Sequence, residues 1–205
     1  MSIDRLLATM PGQSNPPDVA GAASAAGLLD IAYVTEDSPV GRLLLAATPE
    51  GLLRLAYLDR GKEDEEAVLQ RLADRVSPRI LKAPQRLDRP RRELDQYFAG
   101  QRQEFDLPLD WSLARGFGRL ILEATAQIPF GSVSTYGKVA AEAGSPRAAR
   151  AAGNALGANP LPIVVPCHRV LHAGGGLGGY TGGLDRKRHL LAIEGRGQVV
   201  VRRRG

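Results

Sequence analysis

The sequence holds a single cysteine, Cys167, among its 205 residues. An internal disulfide is thereby excluded, and so is any zinc site built on several cysteines. No apolar run approaches the roughly 20 residues that a membrane-spanning helix needs. The first residues lack a basic segment followed by an apolar core, so no secretory signal is read there. A reducing, cytoplasmic location is expected. Acidic residues are scarce in one half in particular: residues 1–112 carry 14 Lys/Arg against 18 Asp/Glu, whereas residues 113–205 carry 13 against 4. A half so poor in carboxylates either serves as a basic, solubilising surface or faces a polyanion. No glycine loop has the spacing that cradles a phosphate. Neither a cofactor nor a metal is expected.

What is present divides into two parts. Residues 1–28 are rich in Ala, Gly, Pro and Ser without periodicity, the composition of a flexible tail. Strand-like runs follow at Ile31–Thr35, Arg42–Ala47 and Leu52–Tyr57, separated by Asp37-Ser38-Pro39 and Pro49-Glu50-Gly51. Such spacing predicts an antiparallel meander. Helical spacing covers 63–76, with Leu69, Leu72 and Val76 on one face, and again 86–99. A short extended piece, Phe105–Leu109, closes this half, in which no residue pattern suggests an active site. The expectation is an α/β fold of the α+β kind. A small antiparallel-sheet domain with helices over 29–112 precedes a mostly helical, winged-helix-like domain over 113–198, and a basic tail occupies 199–205.

In the second half Phe117–Ala126 and Thr135–Ala143 read as helices. Gly144 suits the residue after a helix end, Ser145 an N-cap and Pro146 a first helical turn. The next helix is therefore expected from about Pro146 to Leu156, stopping before Asn159-Pro160. Two short helices joined by a tight turn form a helix-turn-helix, whose second helix enters a DNA groove. Arg147 and Arg150 on that second helix suit this role. Cys167 lies in Ile163–Leu171, a β-branched run expected as a strand and kinked by Pro166. An isolated cysteine in an apolar run is commonly a small buried hydrophobe. Here His168 is adjacent, Arg169 adds positive charge, and Glu194 follows on a later helix that can fold back. A thiol beside such groups is expected to lose its proton more easily, and the thiolate is the nucleophile.

Pro166-Cys167-His168-Arg169-Val170 resembles the acceptor motif of the O6-alkylguanine-DNA alkyltransferases. Ile128–Gly131 with Thr135-Tyr136, Arg150–Gly153, Asn159-Pro160, Gly178–Gly183 and Lys187 through Glu194-Gly195 stand in the same family order. The resemblance covers about residues 110–196 and is weaker over 30–109. It implies single-use repair of double-stranded DNA carrying O6-alkylguanine, and also O4-alkylthymine, by transfer of the alkyl group to Cys167 in a monomeric, cofactor-free, metal-free protein away from membranes. By the same resemblance Cys167 is the acceptor. His168, oriented by Glu194, takes the thiol proton through a water, Asn159 ties the turn before the acceptor, and Tyr136 meets the target phosphate and the flipped base. Arg150 fills the vacated stack, with Thr135, Ala151, Gly153 and Arg147 on the DNA side. Val170, Tyr180, Thr181 and Pro166 form the base pocket, while Lys187 pairs structurally. His172, His189 and Arg202–Arg204 read as solvated surface. A binding-only relative without the acceptor cysteine, a DNA-binding regulator with a redox-sensing Cys167 and a cysteine hydrolase are the alternatives. The four-cysteine zinc domain of adaptive-response proteins is excluded by the cysteine count.

Overall fold

The computed structural model describes residues 21–23, 26–58 and 64–197, so the tails expected over 1–28 and 199–205 fall largely outside the described residues. Three antiparallel strands, β1 (Ile31–Glu36), β2 (Leu43–Thr48) and β3 (Gly51–Tyr57), form the expected meander. A fourth strand, β4 (Ile80–Lys82), pairs parallel to β1 and completes the order β3-β2-β1-β4. Its three residues are too few to show a period of two, so nothing in the sequence marks them as a strand.

Period-two alternation sends the residues of β2 to opposite faces. Leu44 and Ala46 join Ile31, Leu53 and Ala56 under Val68 and Leu72 of helix α1 (Glu65–Arg75). Leu43 and Leu45 face the other way, into a larger core with Leu94 and Tyr97 of helix α2 (Asp88–Phe98). A 3-10 turn, Pro84–Leu87, leads into α2. The larger core continues without a break through Ile121, Val139, Leu161, Val165 and Leu190 of the second half. Strand apolar on both faces is what a sheet sandwiched between two layers requires.

The outer edge of β3 is covered rather than left open, which removes a template for edge pairing. Leu52 donates to Pro108 O at 2.8 Å and accepts from Asp110 N–H at 3.0 Å. The approach is so close that a Cβ on Gly51 would lie 2.3 Å from Pro108 O, so only glycine fits there. Farther along the same edge, Leu55 N–H donates to Pro160 O at 2.9 Å. The sheet thereby grips the loop that carries the Asn159-Pro160 pair.

In the second half α3 (Gly116–Ala126), β5 (Ser134–Thr135), α4 (Tyr136–Glu142), α5 (Ala149–Gly157), β6 (Val170–Leu171) and α6 (Leu184–Ile193) follow in order. Thr135 caps α4 by accepting from Lys138 N–H at 3.3 Å, and Gly144 takes a φ of +80° just beyond the helix end. Two expectations are corrected. Helix α5 starts at Ala149, not Pro146, because Ala148 N–H bonds back to Ser145 O at 2.9 Å and closes a separate turn over 145–148. Arg147 lies in that turn and Arg150 on the helix. Residues 163–165 are not strand either. Val165 N–H reaches back to Leu161 O at 2.8 Å, and Ile163 sits at φ +75°. The chain is folded into turns where its β-branched composition favours extension.

Candidate active site

Cys167 opens a three-residue 3-10 turn, Cys167–Arg169, directly after Pro166. Asn159 organises the approach to it. Its Oδ1 accepts from Leu161 N–H at 2.9 Å, and its Nδ2 donates to Val165 O at 2.9 Å and to the Cys167 Sγ at 3.1 Å. One amide thus holds the turn and touches the thiol. The left-handed backbone at Ile163, unfavourable for a β-branched residue, is held in place by these bonds and by complete burial.

Behind the thiol lies a buried ionic cluster. Glu194, just past the end of α6, accepts on Oε1 from His168 Nε2 at 2.9 Å and from Arg169 Nη2 at 2.8 Å, and on Oε2 from Arg169 Nε at 2.9 Å. Tyr97 of α2 donates its hydroxyl to the same Oε1 at 2.8 Å. Burial opposes the charge on Glu194, but its partners, His168 and Arg169 foremost, prevail and hold the carboxyl at about 2. Burial pushes the His168 pKa down, with Arg169 and Lys187 adding to that effect against the pull of Glu194. His168 is therefore a neutral imidazole whose Nε2–H is donated to the carboxylate. Its Nδ1 is the lone-pair nitrogen, buried and without a protein partner.

The thiol departs from the expectation of an easily lost proton. Burial pushes the Cys167 pKa up, opposed by the Asn159 hydrogen bond and by the charge of Lys187. Arg169 does not act on the sulfur, because its guanidinium is turned away to Glu194 and to Ile128 O. Lys187, fully buried, donates Nζ to Val170 O at 2.7 Å and to Leu177 O, and burial lowers its pKa to about 8. Burial thus works against the charged form of both the thiol and the imidazole. Labelling of Cys167 by iodoacetamide is accordingly expected to accelerate with pH only above about 8.5, the ordinary thiol value. An inflection near pH 7 in the labelling rate would instead reveal a stored thiolate.

In front of Cys167 opens a cleft of about 600 Å³. Arg150, Gly153 and Gly157 of α5 line it at helical spacing, and Tyr136, Tyr180 and Thr181 stand on its other sides. Tyr136 sits against Gly178, where φ is +69° and a Cβ would lie 2.5 Å from its hydroxyl. Thr181 Oγ1 donates to Gly157 O at 2.8 Å, tying the glycine loop to the end of α5. Tyr180 is held from outside by the Tyr57 hydroxyl of β3 at 2.8 Å. A cleft with one thiol at its floor and an exposed arginine on the helix at its rim can admit a planar group and present its substituent to sulfur.

Most of the chain has counterparts among known proteins. Residues 116–196 match the family model described as 6-O-methylguanine DNA methyltransferase, DNA binding domain, and residues 31–111 match the ribonuclease-like domain of the same proteins. The chain belongs to the 6-O-methylguanine DNA methyltransferase family. A methylated-DNA–protein-cysteine methyltransferase of Mycolicibacterium paratuberculosis is 44% identical over 168 residues, which is 81% of this chain and 93% of that protein. One from Methanosarcina acetivorans is 37% identical over 163 residues, covering 80% of this chain and 97% of the relative. Among solved structures, Mycobacterium tuberculosis OGT in complex with DNA is similar at a TM-score of 0.68 and 38% identity, over 82% of this chain and 94% of that one.

Within this methyltransferase, Cys167, Tyr136, Arg150, Gly153, Tyr180 and Thr181 line one cleft, while His168, Asn159 and Glu194 stand buried behind the sulfur. Thr135 is the cap of α4, and Ala151 and Arg147 are exposed outside the cleft lining. Pro166 and Val170 are buried and do not line it, and the Val170 carbonyl already accepts from Lys187. His172 is exposed, as expected of solvated surface, and also borders the cleft with its ring 5.3 Å from that of Tyr136. Tyr97 and Tyr57 carry no signal of a site role in the sequence, because a tyrosine in an apolar stripe looks the same whether its hydroxyl meets water or a buried partner. Among the described residues no group of three His, Cys, Asp or Glu side chains is placed to hold a metal, and no helix is long and apolar enough to cross a membrane.

Proposed function

We propose that this protein repairs alkylated DNA directly, by moving the alkyl group of O6-alkylguanine, and also of O4-alkylthymine, onto Cys167. The observation that carries the reading is the position of the thiol: at the floor of a cleft rimmed by α5, bonded to Asn159 and backed by the His168–Glu194 pair.

The O6 substituent of a stacked guanine is out of reach of any buried sulfur, so the nucleotide must leave the duplex first. Helix α5 enters the groove and Arg150, exposed at the cleft rim, takes the place of the extruded base. Thr135, Ala151, Gly153 and Arg147 lie along the same DNA face. Tyr136 meets the target phosphate and the base, and Tyr180 and Thr181 border the base in the cleft. Sulfur then attacks the alkyl carbon. The S–C bond forms as the C–O6 bond breaks, and that electron pair leaves with guanine. The thiol proton passes through a water to Nδ1 of His168, the nitrogen that Glu194 leaves unprotonated by accepting from Nε2–H. A neutral base suits this order of events, because the proton is lost during attack and not stored beforehand. The thioether is stable and the chain has no second cysteine to exchange with it, so each molecule acts once. In this reading residues 29–112 support residues 113–198, which hold DNA and the acceptor, and a monomer acts on double-stranded DNA in the cytoplasm.

Duplex DNA carrying a radiolabelled O6-methyl group tests the proposal. Label is expected on protein up to one per chain, located by peptide mapping at Cys167. Continued release of product beyond one equivalent would overturn the single-use mechanism, and binding without any label would favour a recognition-only role.

A further inference from the structure

The first half of the chain reaches the Glu194 cluster through Tyr97. Tyr97 projects from α2 through a sleeve of Phe98, Phe105 and Phe130, whose ring centroids lie 5.5, 5.3 and 6.3 Å from its own. It is completely buried, and its hydroxyl donates to Glu194 Oε1, the oxygen that also accepts from His168 Nε2. A phenol serving only as packing does not need a carboxylate at its tip. We propose that Tyr97 is a positioning residue that sets the basicity of His168 by competing with it for the Glu194 carboxylate.

The sign follows from sharing one acceptor. Each hydrogen bond donated to Oε1 neutralises part of its charge and weakens its hold on a proton at His168. The groups facing His168 and Glu194 are Arg169 from the 3-10 turn, Lys187 from α6, Tyr180 across the ring at 6.4 Å, and Tyr97. Arg169 is anchored at both carboxylate oxygens and to Ile128 O, and Lys187 is tied to carbonyls of Val170 and Leu177. Tyr97 is the neutral donor of this set on Glu194. Its removal leaves the formal charges untouched and the carboxylate with more charge to offer the imidazole.

In Tyr97→Phe the pKa of His168 is expected to rise by about half a unit. Ring-nitrogen NMR of His168 reads this without any substrate, so it stands or falls apart from the alkyl-transfer reading. The kinetic arm rests on that reading: the acidic midpoint of the transfer rate should move up by the same amount while the rate at pH 8 changes less than about twofold. Site-specific 3-fluorotyrosine at position 97 keeps the shape and donates more strongly, so it should move His168 the opposite way, and it covers the case of a poorly folding Tyr97→Phe. Two substitutions that leave the His168 titration in place, or that lower the rate by one factor at every pH, would show that Tyr97 is only packing and overturn the proposal. A shifted titration with no transfer in the native protein would uphold Tyr97's role and refute the repair activity.

Discussion

Cys167→Ser is expected to abolish alkyl transfer, by at least about 10⁴-fold, the scale seen when a nucleophile is removed from an activated site. The change is nearly isosteric. Asn159 Nδ2 still has an acceptor, and the surrounding turn keeps its bonds through Val165 O and Leu161 N–H. What is lost is the polarisable sulfur and its accessible deprotonation. Serine presents a harder oxygen whose proton a neutral imidazole removes far less readily, and the cleft supplies no second nucleophile at that place. The fold and the affinity for duplex DNA should stay close to native, since the DNA contacts proposed above lie on α5 and Tyr136 and do not involve the sulfur. Label transfer, thermal melting and a gel-shift titration measured on one preparation separate these outcomes. Label on the serine protein would remove Cys167 from its role.

The second large effect belongs to Glu194→Gln. This carboxylate compensates the buried Arg169 guanidinium and fixes the His168 tautomer. Breaking a buried ion pair by neutralising one partner costs about 3–5 kcal/mol, and for a chain of this size the melting temperature should fall by roughly 10 °C. An amide can also turn its NH₂ toward His168 Nε2. The ring then carries its proton on Nδ1, the nitrogen required to accept from the thiol side, and transfer should fall by about 10⁴-fold, in line with tautomer errors in other nucleophile–base–orienter sites. The pH dependence carries its own sign. Glu194 is held at about 2 in the folded protein against 4.5 ordinarily, so its contribution to stability is complete above 4.5 and is lost as pH falls toward 2. Acid unfolding of native protein should show that loss. In the Gln variant stability should be lower at neutral pH, and the difference should shrink as acid protonates the native carboxylate. A variant as stable and as fast as native would mean that the cluster is dispensable.

The sequence by itself determined the elements whose physical cause is local. The strands β1 to β3 follow from runs of Leu, Val and Ala between turn residues, α3 and α4 from apolar spacing, and the end of α4 from Gly144. The chemistry around Cys167 was legible because Pro166, His168 and Arg169 adjoin it and the longer motif extends to Asn159 and Glu194. Where the reading failed, a longer-range force had prevailed over local preference. The Ser145-Pro146 pair has the signature of a helix start, yet the turn closed by Ala148 N–H delays α5 to Ala149. Ile163-Val164-Val165 has the composition of a strand, yet Asn159 and the Leu161 carbonyl bend it into turns.

Only the tertiary structure decided the electrical state of the site. Proximity in sequence suggested that Arg169 and His168 would drive the thiol toward its anion. Folding sends Arg169 to Glu194 instead and buries the thiol and the imidazole, which works against the charged form of both. It also brings Tyr97 and Tyr57, from a half with no visible site, to the carboxylate and to Tyr180. Charge acts through space and is strengthened by burial. Residue order shows which groups the chain possesses, and three-dimensional packing settles which of them face one another out of water.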